Sequence, residues 1–262
     1  MNSLAKANAV KLLKDLYITS PEKLVLENIA GMNNLFIEER DLTGKEGELV
    51  YKEGCGVISI DSKIAEKGQK RFTTAHELGH YYNEIVPEQN KGRNEFYFSC
   101  SGEDIRSIYL KNPREANAND FAAELLMPEE WFKKFTMGKR FNKKLLADTA
   151  EYFNTSLSAA ALRYAEIGNH PTAIIMSSEG KVKWKKINSY FPFQWIEQGQ
   201  EVNNNSYAYE FYQDKPVPDE PETILADAWF LNDFKFKKDY FLYEQNIPMK
   251  RYNSVLTILW EE

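Results

Sequence analysis

The sequence predicts an α+β fold in three parts: a small sheet with a His-Glu-x-x-His helix, a helical extension that looks like a helix-turn-helix, and a β-rich C-terminal domain. Three observations carry this. Short strand-like segments precede the histidine pair at 76 and 80, helical apolar spacing marks 114–127, 142–151 and 156–167, and after His170-Pro171 the texture turns to β-branched and aromatic residues. The parts are placed at 1–135, 136–170 and 171–262, and 43% hydrophobic content over 262 residues is enough for a real core.

Taken in order, Leu4, Ala7, Val10, Leu12, Leu13 and Leu16 give a helix over 3–16. A second helix is expected from Ser20 as N-cap and Pro21 at its first position, with Gly31 as its stop. NLFIEERDL, GELVY and GVISID read as strands, the last two joined by a turn at Gly54-Cys55-Gly56. The motif helix follows. Residues 85 to 113, broken by Pro87, Gly92, Gly102 and Pro113, are expected to be loop with a short strand at EFYFS. Ala118, Phe121, Ala122, Leu125 and Leu126 then share one helical face, and Pro128 ends that helix. Two further helices, 142–151 and 156–167, are joined by YFNTS. TAIIM, SSEG and KVKWKKI form a hairpin, and VLTILW is another strand.

Composition excludes some functions. Charges are mixed, 33 basic against 39 acidic for a net of −6, which argues against broad capture of nucleic acid or anionic lipid. Lys6, Lys11, Lys14 and Asp15 interrupt the stretch where a signal peptide needs an apolar run, and no apolar run approaches the ~18 residues of a membrane span. Two cysteines, Cys55 and Cys100, cannot make a disulfide framework. A soluble, cytoplasmic protein with free thiols and no membrane partner is expected.

The chemistry concentrates in TTAHELGHYYNE, residues 73–84. Histidines four apart lie one above the other on a helix, about 6 Å apart in rise, so His76 and His80 can both reach one ion at roughly 2 Å. Glu77 is turned about 100° from His76 and so sits beside the ion, where it can deprotonate a water. This is the geometry of a zincin. A different reading makes Thr74 and Glu77 a capping box with a purely structural role. The longer HExxHxxGxxH pattern is excluded by Asn83 and Val86. Glu84 shares the face but lies about 12 Å above His76, too far for one ion to bind both. Another helix must supply the third ligand, and Glu115 is the best candidate, with Asn119 one turn later able to orient a ligand. Glu115 could instead merely favour the helix N-terminus electrostatically. Glu103, Asp104, Asp120 and Glu124 are weaker ligand candidates.

Together, RFTTAHELGHYY and EANANDFAAELLMP resemble the ImmA/IrrE family of metallo-endopeptidases, whose members carry FTxAHELGH and then ExxANxFAAELLMP. The likeness covers residues 71 to 128 and extends loosely upstream through GCGVISID; the C-terminal third matches in general character only. It implies that His76, His80 and Glu115 bind Zn2+ and that Glu77 is the catalytic base. Asn117 stands where the family often has another acid, which leaves Glu115 as the only glutamate of residues 115–119. The implied substrate is a helix-turn-helix repressor, cut to derepress a mobile-element, toxin–antitoxin or stress operon. The C-terminal domain would then be a sensor or a docking site for substrate.

Tyr81, Tyr82 and His170 are available as oxyanion donors, and the GVISI strand as an edge that pairs with an extended substrate. Two other functions remain. Residues 145–168 look like a helix-turn-helix and WFKKFTMGKRFNKK carries six basic residues, so a DNA-binding regulator would make its contacts through 130–168. A partner-binding regulator that keeps the peptidase fold without catalysis is the other.

Overall fold

The structure is a computed structural model that describes residues 3–89, 91–92, 94–102, 104, 112–235 and 239–261. It is α+β with two sheets, one in each of two compact units: Met1–Phe132 with Ala150–Ser156, and Lys133–Thr149 with Leu157–Glu262. Residues 136–170 are thus shared between the units. Among the described residues no helix is long and apolar enough to cross a membrane.

In the first unit, α1 (Leu4–Asp15) starts at Ser3, whose hydroxyl accepts from the Lys6 amide, and buries Ala5, Ala9, Leu12 and Leu13. The expected second helix is interrupted. Pro21–Lys23 form one 3₁₀ turn, Leu24 is extended, and α2 (Leu26–Met32) runs on through Gly31. Tertiary contacts win over local propensity here: Leu24 is buried and its carbonyl accepts from Arg71 Nη2 at 2.7 Å.

The sheet comprises β1 (Leu35–Arg40), β2 (Gly47–Lys52), β3 (Cys55–Asp61) and β4 (Glu95–Cys100) in the order β1-β3-β2-β4. β1 and β3 are parallel and the other pairs antiparallel. The β2–β3 turn lies one residue earlier than expected, because Glu53 (φ 51) and Gly54 (φ 88) both adopt left-handed conformations while Lys52 pairs with Cys55. β3 is flanked on both sides, so it cannot offer the substrate edge expected of GVISI. The sheet's edges are β1 and β4.

Side chains alternate across these strands, and the register places Gly47, Leu49 and Tyr51 opposite Cys100, Phe98 and Phe96 on one face. Against the sheet packs α3 (Lys67–His80), and along α3 lies α4 (Pro113–Leu126), capped by Asn112 and ending before Pro128. The two helices approach closely at Gly79, where an added Cβ would lie 2.9 Å from Ala118 Cα and 3.0 Å from its carbonyl oxygen. Both obstacles are backbone. Gly79→Ala is therefore expected to cost about 1–3 kcal/mol, read as a lower urea midpoint. An unchanged midpoint would contradict the tight packing.

Three more helices follow: α5 (Glu129–Thr136), which the sequence reading missed behind Pro128, α6 (Lys143–Phe153) and α7 (Leu157–Ile167). The second unit's sheet is wholly antiparallel, formed by β5 (Thr172–Ser178), β6 (Lys181–Ile187), β7 (Glu222–Leu225), β8 (Phe241–Met249) and β9 (Ser254–Trp260) in the order β6-β5-β9-β8-β7. Trp229, Phe191, Phe193 and Phe230 fill its core. β8 was hidden from the sequence by Glu244, Gln245 and Asn246, all buried. Glu244 is satisfied there by the Ser206 hydroxyl, the Ala208 amide, Trp229 Nε1 and Asn246 Nδ2. Pro248 lies past the end of β7, whose pairing stops at Glu244.

Candidate metal centre

Thr73 and Thr74 lie inside α3 and donate their hydroxyls to the carbonyls of Gln69 and Lys70. The helix begins at Lys67, so Thr74 caps nothing and the capping-box reading of Glu77 falls away. After His80 the helix widens into a π turn, Tyr81–Ile85, a local form frequent at functional sites. Tyr81 is buried against Tyr51, and Tyr82 stacks on Phe121 while its hydroxyl accepts from Asn33 Nδ2. Both rings thus have packing roles. His170 belongs to the other unit, where its ring lies 6.4 Å from that of Phe141.

The structure brings His76, His80 and Glu115 together. His76 Nε2 is 3.1 Å from Glu115 Oε2 and 3.2 Å from His80 Nε2, and His80 Nε2 is 3.4 Å from the same oxygen. Tetrahedral zinc bonded at about 2.0–2.1 Å sets neighbouring donors about 3.3–3.4 Å apart, so these three atoms fit one ion. Both histidines are fully buried and Glu115 nearly so. Glu77, also fully buried, takes one thiol contact from Cys100 at Oε1, 2.9 Å away, while its Oε2 has no partner. A buried oxygen without a partner, on a carboxylate that reaches within 4.8 Å of a His76 ring nitrogen, is the mark of a site shaped for something more than protein.

Each imidazole is held through its other nitrogen. His76 Nδ1 lies 2.7 Å from Asn119 Oδ1, and Asn119 Nδ2 donates to the Asp104 carbonyl. His80 Nδ1 lies 2.8 Å from Glu84 Oε1, and Glu84 also faces Arg114 Nε at 3.4 Å. The remaining acids have other work: Asp104 caps Ser101, Asp120 faces Lys6, and Glu124 accepts from the Glu129 amide. Glu103 lies outside the described residues.

The profile of the peptidase family described as "IrrE N-terminal-like domain" matches residues 34–164, half of the chain. The chain belongs to that IrrE-like family. Membership implies a metal, and the match spans every residue of the cluster. A Mycobacterium tuberculosis protein titled a transcriptional regulator shares the fold, with a TM-score of 0.59 and 13% identity over 98% of this chain and 76% of its own. No curated protein matches.

Electrostatics in this IrrE-like site follow from burial. Burial raises the Glu77 carboxyl above its ordinary value, opposed by the two histidines and the Cys100 thiol. Burial would lower His80, but Glu115 and Glu84 outweigh it and bring its pKa to about 9. Burial would raise Glu115, yet its contacts with His76 and His80 hold it at about 2. Without an ion, His80 is therefore protonated at neutral pH against an ionised Glu115. An ion needs the neutral imidazole, so binding at pH 7 is expected to release about one proton and to strengthen as pH rises toward about 9. Calorimetry in two buffers of different ionisation enthalpy measures this; identical heats would contradict it. Asn119→Ala is expected to weaken metal binding roughly 10–100-fold, read by competition with a chelating dye.

Two groups beside Glu77 escaped the sequence reading. Cys100 and Gly47 gave no periodic signal, although a glycine opening a strand does hint at close backbone approach. Glu84, too distant from His76 along the helix to share its ion, instead partners the second nitrogen of His80.

Proposed function

We propose that the chain is a zinc-dependent endopeptidase of zincin type that cuts one bond in a helix-turn-helix transcriptional repressor and so derepresses a mobile-element, toxin–antitoxin or stress operon. The observation that supports this most is the buried convergence of His76, His80 and Glu115 with the unpartnered Glu77 Oε2 beside it. Those three side chains would hold the ion. Zinc so held would supply Lewis acidity for a peptide carbonyl and lower the pKa of a water toward neutrality.

The rest falls to the protein. Glu77 Oε2 accepts a proton from the attacking water and returns it to the leaving amine. Burial, which disfavours its charged form, favours its taking up that proton. Phe98 stacks on His80 at 4.7 Å and gives that ring an apolar wall. β4 pairs with β2 alone among the described strands and carries both Phe98 and Cys100 to the site. An extended substrate adding to β4 on the side away from β2 would run beside Glu77.

The repressor as substrate rests on the family resemblance. Zinc-loaded protein, incubated with the product of an adjacent helix-turn-helix gene, is expected to yield two fragments from one cut by mass spectrometry. An intact repressor would sink the reading. The second reading, a regulator that needs no catalysis, is favoured by the likeness to a protein titled a transcriptional regulator. Against DNA contact through 130–168 stands α7, whose basic residue Arg163 is buried and paired with Glu166 at 3.0 Å.

A further inference from the structure

Gly47 and Cys100 are cross-strand partners on β2 and β4, and both lie against the Glu77 carboxylate. The Cys100 sulfur is 2.9 Å from Glu77 Oε1 and 3.6 Å from the Gly47 carbonyl oxygen. A Cβ at Gly47 would stand 2.6 Å from the same Oε1, 2.7 Å from Thr73 Cγ2 and 3.0 Å from the sulfur. The carboxylate thus lies in a slot with bare backbone for a floor and a thiol for a wall. One of its oxygens is engaged there and the other, equally buried, is not.

We propose that Cys100 is a positioning residue for Glu77: its S–H donates to Oε1 and, over the Gly47 floor, fixes the carboxylate with Oε2 presented to the reacting water. This deepens the peptidase reading and rests on it. A thiol has one proton to donate, and Oε1 is the carboxylate oxygen it reaches. Burial, reinforced by the Glu77 charge, pushes the Cys100 pKa up, so the thiol keeps the proton it donates.

The test uses full-length, zinc-loaded protein carrying Cys55→Ser, so that Cys100 is the one thiol left of the two in the chain. Its infrared S–H stretch is expected below that of a free thiol, and to rise in Glu77→Gln, where an amide is the weaker acceptor. An unmoved band overturns the proposal. Cys100→Ala is expected to keep its zinc and its KM while kcat falls roughly tenfold to a hundredfold; Cys100→Ser, which retains a donor, restores most of the rate. Equal rates in Cys100→Ala and wild type overturn the proposal, as does loss of zinc, which would make Cys100 a ligand. Should Cys100→Ala fail to fold, Cys100→Ser and the infrared band decide. If the wild type cuts nothing, the peptidase reading fails by itself, and the band still decides whether Cys100 holds Glu77.

Discussion

Glu77→Gln is expected to bind zinc as the wild type does and to lose roughly 10²–10⁴-fold in cleavage rate. The change is nearly isosteric, and the three donor atoms belong to His76, His80 and Glu115, so coordination has no reason to suffer. What disappears is the capacity of Oε2 to take a proton. Metal content measured alongside repressor cleavage separates the two effects. A mutant that cleaves within tenfold of wild type would remove Glu77 from proton transfer. One that cleaves nothing yet still derepresses the operon would favour the non-catalytic regulator.

Glu115→Ala is expected to have the largest effect on metal binding and on the stability that metal confers. It removes the acid of the triad and leaves two imidazoles without the one anionic donor that converges with them on the ion. An ion present at a thousand times its dissociation constant stabilises a fold by about 4 kcal/mol. The wild type should therefore melt higher with zinc than after chelation, and Glu115→Ala should show little of that difference. An equal zinc-induced shift in both proteins would disqualify Glu115 as a ligand. The same substitution in metal-free protein strips His80 of a hydrogen-bond partner that helps raise its pKa to about 9. That pairing contributes stability below the ordinary histidine value and loses it as pH rises through about 9, so the mutant's deficit should shrink in alkali.

The sequence made the donors legible because helical spacing is local. Two histidines four apart on a helix must share a face, and a glutamate at the start of the next apolar helix has one turn's freedom in where it points. Asn119 follows from Glu115 by the same spacing. The strands were harder. Nothing within GELVY or EFYFS says that Gly47 meets Cys100; register depends on pairing between segments far apart in the chain. The slot around Glu77 is built from that pairing, so it could not be read ahead of the fold. β8 failed for another reason: its polar centre is satisfied by Ser206, Trp229 and Asn246, which only the folded unit assembles. The break after Lys23 is likewise a tertiary effect, imposed through the carbonyl of Leu24.

His76 and Glu115 stand 39 positions apart in the chain. An ion gripping both closes that span into a ring and trims the number of shapes open to the denatured chain, much as a covalent bridge would. The gain is lost the moment the ion leaves. Starved of metal, the chain recovers that freedom, which ties the stability of the fold to how much zinc surrounds it.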